Sequence, residues 1–164
     1  MNAKELYDQT SLDCGKLITQ RYSTSFTLGI QTLDKKFHAP IYAIYGFVRY
    51  ADEIVDTFHE HDKSKLLAKF RQETYIAIET KLSLNPVLHG FQMMVNKYEI
   101  DLDLIESFFK SMAMDLDFST YNDSRYLEYI YGSAEVVGLM CLKVFVEGDE
   151  ALYQQLKSPA RMLG

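Results

Sequence analysis

Apolar residues recur at intervals of three and four along nearly the whole chain, and no run alternates apolar with polar positions beside a hairpin turn. The pattern predicts helices and no sheet. A first helix is expected from about Asn2 to Gln20, then a Ser- and Thr-rich linker from Tyr22 to Leu33. Pro40 suits the first turn of a second helix that continues to about Phe58. A charged third helix follows from about Asp62 to Lys81. Asn85-Pro86 reads as the cap and first residue of a fourth that ends near Tyr98. Asp101 or Asp103 opens a fifth, DLDLIESFFKSMAMDLDF, and Asn122-Asp123-Ser124 caps a long sixth, RYLEYIYGSAEVVGLMCLKVF. Gly148-Asp149 ends that helix and starts a seventh, ALYQQLKSPARMLG. With no internal repeat or low-complexity tract, the expectation is one all-α domain over residues 1–164, a bundle of about six to seven helices.

One helix breaks the apolar pattern in an ordered way. In APIYAIYGFVRYADEIVD, steps of four, three and four place Tyr45, Arg49, Asp52 and Asp56 on one face, within an arc of roughly 60°. Ile41, Ile44, Val48, Ile54 and Val55 surround that face with apolar residues. Two carboxylates one turn apart repel, and in an interior they cost free energy unless a cation sits between them. An Arg one turn earlier adds a planar donor fork suited to phosphate. A D-x-x-x-D pair of this kind can hold Mg²⁺ and leave its other positions to water and diphosphate. The plainer reading is a solvated, charged helix end, since Glu53, Glu60 and Asp62 lie nearby.

Composition narrows the partners. Of 164 residues, 48% are hydrophobic and 24% charged, which is ordinary for a folded domain with a sizeable core. The net charge of −6 and the lack of a basic block argue against nucleic acid. Cys14 and Cys141 lack metal spacing, so a reducing, cytoplasmic location is expected. The start, MNAKELYDQTSLDCGK, has no apolar block and does not read as a signal peptide. VVGLMCLKVFV at 136–146 is too short to cross a bilayer, which leaves peripheral membrane contact open. Twelve Tyr and ten Phe with no Trp fit a Tyr-rich core or the wall of a tunnel for a long apolar ligand.

Other groups carry weaker signals. Ser23, Thr24, Ser25 and Phe26 precede the striped helix, where short hydroxyls can cap a turn or touch a phosphate oxygen. Gly132 and Gly138 lie in the sixth helix among Tyr129, Tyr131, Ser133, Ala134 and Val137. Each costs about 1 kcal/mol relative to Ala and so marks close approach of a neighbour or a ligand. Glu135 stands between them without a defined direction. Asp115 and Asp117 end the fifth helix; the leading reading is a solvated C-terminal acid, and the alternative is that one of them caps or hydrogen-bonds into the bundle. Asp56-x-x-His59 is half of a di-iron motif, but the other acids and the second His that a di-iron bundle needs are missing.

Together these segments resemble the squalene/phytoene synthase family of head-to-head prenyl transferases, in a form closer to bacterial phytoene synthases than to squalene synthases. The segments are YSTSF at 22–26, IYAIYGFVRYADEIVD at 41–56, SMAMDLDFSTYND at 111–123 and YLEYIYGSAEVVGLM at 126–140. The resemblance implies an isoprenoid-synthase-like bundle around a cavity that binds two prenyl diphosphates. Asp52 and Asp56 match the first aspartate-rich motif and would hold Mg²⁺, with Mn²⁺ as a substitute. Arg49, Tyr45, Ser23, Ser25 and Phe26 match positions beside the diphosphate, and Tyr129, Val137 and Gly138 match cavity-lining positions. The implied reaction is loss of diphosphate to an allylic cation. Attack by the second substrate's double bond then gives a cyclopropyl intermediate, which rearranges after a second ionisation. NADPH is not expected. The family's second aspartate-rich motif is absent before Gly164, and the helical pattern restarts after Ser158-Pro159 only to stop. The expectation is therefore the N-terminal part of a longer synthase, inactive by itself and prone to self-association. The rival reading is a non-catalytic helical module that binds an isoprenoid or a partner helix.

Overall fold

The structure is a computed structural model that describes residues 1–117 and 123–163. Its elements are α1 (Ala3–Tyr22), α2 (Thr24–Gln31), a 3₁₀ turn (Lys35–Phe37), α3 (His38–Asp56), α4 (Lys63–Thr80), α5 (Pro86–Tyr98) and α6 (Leu102–Leu116). α7 (Asp123–Ile130) runs through a π-helical turn (Tyr131–Glu135) into α8 (Val136–Phe145), and α9 (Glu150–Leu163) closes the described chain. With α7, the π-turn and α8 counted as one rod, eight helices stand among the described residues, and no strand does. The expected all-helical class is found, with one helix more than the six or seven anticipated.

The additional helix is α2, which occupies the segment expected to be a linker. Its start is held by Ser23, whose hydroxyl oxygen accepts the Phe26 N–H at 3.2 Å. The Thr27 hydroxyl donates to the Ser23 carbonyl at 2.7 Å, and Ile30 is buried. Hydroxyl-rich segments score poorly as helix interiors, yet the same hydroxyls make good caps. The striped helix begins at His38, which puts Pro40 in its first turn as expected, and it ends at Asp56, two residues before Phe58. α9 runs on through Pro159 instead of restarting after it. The cap expected at Asn122-Asp123-Ser124 begins at Asn122, which lies outside the described residues.

Caps account for several other boundaries. Asn2 and Glu5 satisfy each other's backbone N–H groups at 2.9 Å in a capping box at the start of α1. Asn85 Oδ1 accepts the Val87 N–H at 3.0 Å where α5 begins. Just past the ends of α4, α5 and α8, the residues Lys81, Glu99 and Glu147 take positive φ values of 58°, 53° and 50° and stop each helix in the left-handed region.

The chain packs as two units. The first comprises residues 1–50 and 72–97, and the second 51–71 and 98–164. In the first, α1 and α3 cross at two glycines. A Cβ on Gly15 would lie 2.9 Å from the Tyr42 carbonyl oxygen, and one on Gly46 would lie 3.1 Å from the Gly15 Cα. Phe47 and Phe91 stack at 3.8 Å between ring centroids in the centre of this unit. In the second, Ile105, Phe108 and Phe109 of α6 pack with Val136, Leu139 and Met140 of α8 in a fully buried core. Lys143 sits over the Tyr153 ring at 4.0 Å and bridges Glu150 and Asp101. No described helix is long and apolar enough to cross a membrane.

Candidate functional site

Helix α3 carries the whole stripe without a break. Tyr45 and Arg49 fall in its 38–50 portion, and Asp52 and Asp56 in its last turns. In the first unit, the Tyr45 ring stacks on Phe26 of α2 at 4.7 Å with 26° between planes. The Arg49 guanidinium lies over the Tyr22 ring at 4.9 Å. That contact sets the cation against an aromatic face. Ser23 is engaged as the α2 cap, while Ser25 and Phe26 are exposed.

In the second unit, the C-terminal end of α3 borders a cleft of about 740 Å³. Asp56 and Val55 line it together with Asp115 and Leu116 at the end of α6 and Tyr129 on α7. His59, His61 and Lys63 stand at its rim. The sequence predicts two acids pointing into an apolar hollow. The hollow is present beside Asp56, with a lining that mixes charged groups and apolar surface; Asp56 is exposed and Asp52 half-buried.

The third acid is Asp115. Of the two readings for the acids at the end of α6, solvated or bonded into the bundle, Asp115 takes the second: it is half-buried and faces the cleft. Its carboxyl accepts the Tyr129 hydroxyl at 3.3 Å. Burial raises its pKa above the ordinary aspartate value, the Tyr129 hydrogen bond lowers it, and the Asp56 carboxylate raises it again; the net shift is upward. Asp117, two residues on, behaves as expected: it is exposed and pairs with Arg125 at 3.4 Å. The signal that separates the two is helical phase. Asp115 follows Met112 by three and Phe108 by seven, which puts it on the buried stripe of α6.

Lys63 is a second residue the sequence did not single out. Its ammonium donates to the Val55 carbonyl and to His59 Nδ1, the latter at 2.8 Å. A cation bonded to a last-turn carbonyl complements the negative end of the α3 dipole, and it adds positive charge at the cleft rim. Glu135 turns to the surface, where it pairs with Arg161 at 3.0 Å. Val137 and Gly138 are half-buried on α8.

The donor set limits the metal. Among the described residues, no three His, Cys, Asp or Glu side chains come together as a self-sufficient metal site. A hard divalent cation of the Mg²⁺ type needs no such cluster from the protein, because it binds through one or two carboxylates and takes its other oxygens from water and substrate phosphate.

The squalene/phytoene synthase family model matches residues 19–164. The chain is 28% identical to phytoene synthase 1, chloroplastic, of Zea mays, over 98% of this chain and 39% of that protein. It is 25% identical to phytoene synthase of Cereibacter sphaeroides, over 86% of this chain and 42% of that protein. Its fold is similar to the crystal structure of squalene synthase HpnC from Alicyclobacillus acidocaldarius, with a TM-score of 0.81 at 16% identity over 95% of this chain and 59% of that one. The chain thus spans about two fifths of the length of the curated relatives it matches.

Proposed function

The chain belongs to the squalene/phytoene synthase family, and from that premise we propose that it builds part of a prenyl transferase site that joins two prenyl diphosphates head to head, geranylgeranyl diphosphate being the substrate and phytoene the product. The observation that carries this reading is the cleft in which Asp56, Asp115 and Tyr129 meet at the end of α3. A carboxylate-lined hollow with an aromatic wall and a lysine at its rim suits an anionic head attached to an apolar chain. Asp52 and Asp56 would hold Mg²⁺, or Mn²⁺ in its place, which when bound takes up negative charge on the departing diphosphate.

The chain's own side chains orient the substrate and exclude water. Arg49, one turn before Asp52, carries a guanidinium fork of the kind that suits phosphate oxygens, and Lys63 adds a charge at the cleft. Val55, Leu116 and the Tyr129 ring offer a wall that does not attack a carbocation, and the face of the phenol ring attracts positive charge. With a single D-x-x-x-D pair, residues 1–164 are expected to bind prenyl diphosphate and to release little or no hydrocarbon.

The test is calorimetric titration with geranylgeranyl thiodiphosphate, a slow-reacting analogue, with and without Mg²⁺. The expected outcome is Mg²⁺-dependent binding that weakens by about tenfold or more in Asp56→Ala and Asp52→Ala. Binding that is indifferent to Mg²⁺ and to both substitutions returns the assignment to a non-catalytic module that grips an isoprenoid by its apolar surface.

A further inference from the structure

Tyr129 is gripped at both ends by one helix. Its hydroxyl donates to Asp115 at 3.3 Å, and its carbonyl accepts the Ser111 hydroxyl, also at 3.3 Å. Ser111 and Asp115 are four residues apart on α6, so one helix face presents both contacts. A second hydroxyl, that of Ser133, reaches the same carbonyl at 2.7 Å. Back-bonding of the Ser133 kind also occurs in α1, where Ser11 reaches the Tyr7 carbonyl and Thr19 the Gly15 carbonyl; what sets Tyr129 apart is the additional hydroxyl, which comes from a different helix, α6.

Immediately after Tyr129–Ile130 the helix widens into the π-turn, in which the Val136 N–H bonds the Tyr131 carbonyl five residues back. Such turns are single-turn insertions in α-helices, frequent at functional sites. This one is wedged against α6 at Gly132. A Cβ there would fall 1.8 Å from Ser111 Oγ and 2.3 Å from the Ser107 carbonyl oxygen, distances no side chain tolerates. Gly132 therefore lets the α6 backbone come close enough for Ser111 to touch the Tyr129 main chain.

We propose that Ser111 and Asp115 are positioning residues that hold the carbonyl and the hydroxyl of Tyr129, and that this clamp, seated on the Gly132 contact, presents the phenol ring to a prenyl diphosphate in the cleft beside Asp56. The occupant of the cleft rests on the function proposed above, whereas the clamp itself does not. A ring fixed at both ends costs no further ordering when the ligand arrives, which is where preorganisation adds to binding and rate.

The experiment places 3-fluorotyrosine at position 129 and follows its ¹⁹F resonance. In the otherwise unaltered chain, the resonance is expected away from that of free fluorotyrosine. Asp115→Leu, which removes the acceptor, moves it toward the free value, and Asp115→Asn, which keeps an acceptor oxygen, restores it. Ser111→Ala moves it in the same direction as Asp115→Leu. Gly132→Ala is set aside as a probe because it threatens the fold, and Ser111→Ala tests the same contact without adding volume. A resonance that ignores both Asp115→Leu and Ser111→Ala overturns the clamp, whatever the ligand. Adding geranylgeranyl thiodiphosphate and Mg²⁺ shifts the resonance of the unaltered chain. In Asp115→Leu that shift falls by about half or more while affinity changes by no more than about threefold, the signature of positioning rather than holding. If the ligand moves nothing in the unaltered chain but the two substitutions still do, the clamp stands and the proposed occupant falls.

Discussion

Two aspartates in this molecule sit beside polar partners and end up in opposite electrostatic states. Asp8, in the first unit, faces His89, which is fully buried on α5, with Nε2 2.7 Å from the carboxylate. The Ser83 N–H donates to Nδ1 of the same ring at 3.2 Å, so Nε2 carries the proton that Asp8 accepts. Lys4 closes the arrangement, and hydrogen bonds from Lys4 and then His89 hold the Asp8 carboxyl below the ordinary aspartate value. Asp115, in the second unit, has one hydroxyl donor and another acid for company, and its pKa is raised. The first network is satisfied and serves the fold. The second pairs a desolvated acid with a neighbouring carboxylate beside a cleft, which is an arrangement functional sites tend to show.

The largest expected effect breaks the satisfied side. His89→Ala removes a ring with no solvent exposure and strands the Ser83 N–H, which should cost about 3–5 kcal/mol in urea unfolding. A loss near zero would mean that the Asp8–His89 pair does not organise the first unit. Gly132→Ala strikes the second unit by overpacking α6, for a cost of about 1–3 kcal/mol or more. Ser111→Gly in the same chain should recover part of it by removing the Oγ that the new methyl meets.

Acid and base sharpen the comparison, because the two aspartates shift in opposite directions. Asp8, with a lowered pKa, contributes stability that is present above the ordinary aspartate value of 3.8 and is lost as pH falls through the lower, folded value. Asp115, with a raised pKa, contributes stability that is complete below 3.8 and is lost as pH rises through its higher, folded value. Melting temperature measured against pH should therefore lose part of its acid-side fall in Asp8→Asn. It should lose part of a decline at higher pH in Asp115→Asn. Parallel profiles in the two variants would erase the distinction.

The smallest effect provides the baseline. Arg71 and Glu106 form a doubly bonded ion pair at 2.9 Å with both side chains about half exposed. Arg71→Ala should cost no more than about 1 kcal/mol, and less in high salt. A larger loss would show that surface pairs here rival the buried networks.

Some of this could be read from the chain directly. Threes-and-fours periodicity depends on neighbours one turn away, so it specified helices, and it placed Tyr45, Arg49, Asp52 and Asp56 on one face of α3 before any contact was known. Motif order pointed to the family for the same reason, since motifs are local. Even Asp115 had a local signal, its phase on the buried stripe of α6, although its place at a helix end argued for solvent. What periodicity could not supply was the partner. That Ser111 and Asp115 meet the two ends of Tyr129, that Gly132 admits α6, and that the Ser-rich stretch after α1 caps itself into α2 are consequences of distant segments packing together. A helix face announces that it will be covered, but only the folded core decides by what, because that choice is made by shape and hydrogen-bond complementarity between residues the sequence holds far apart.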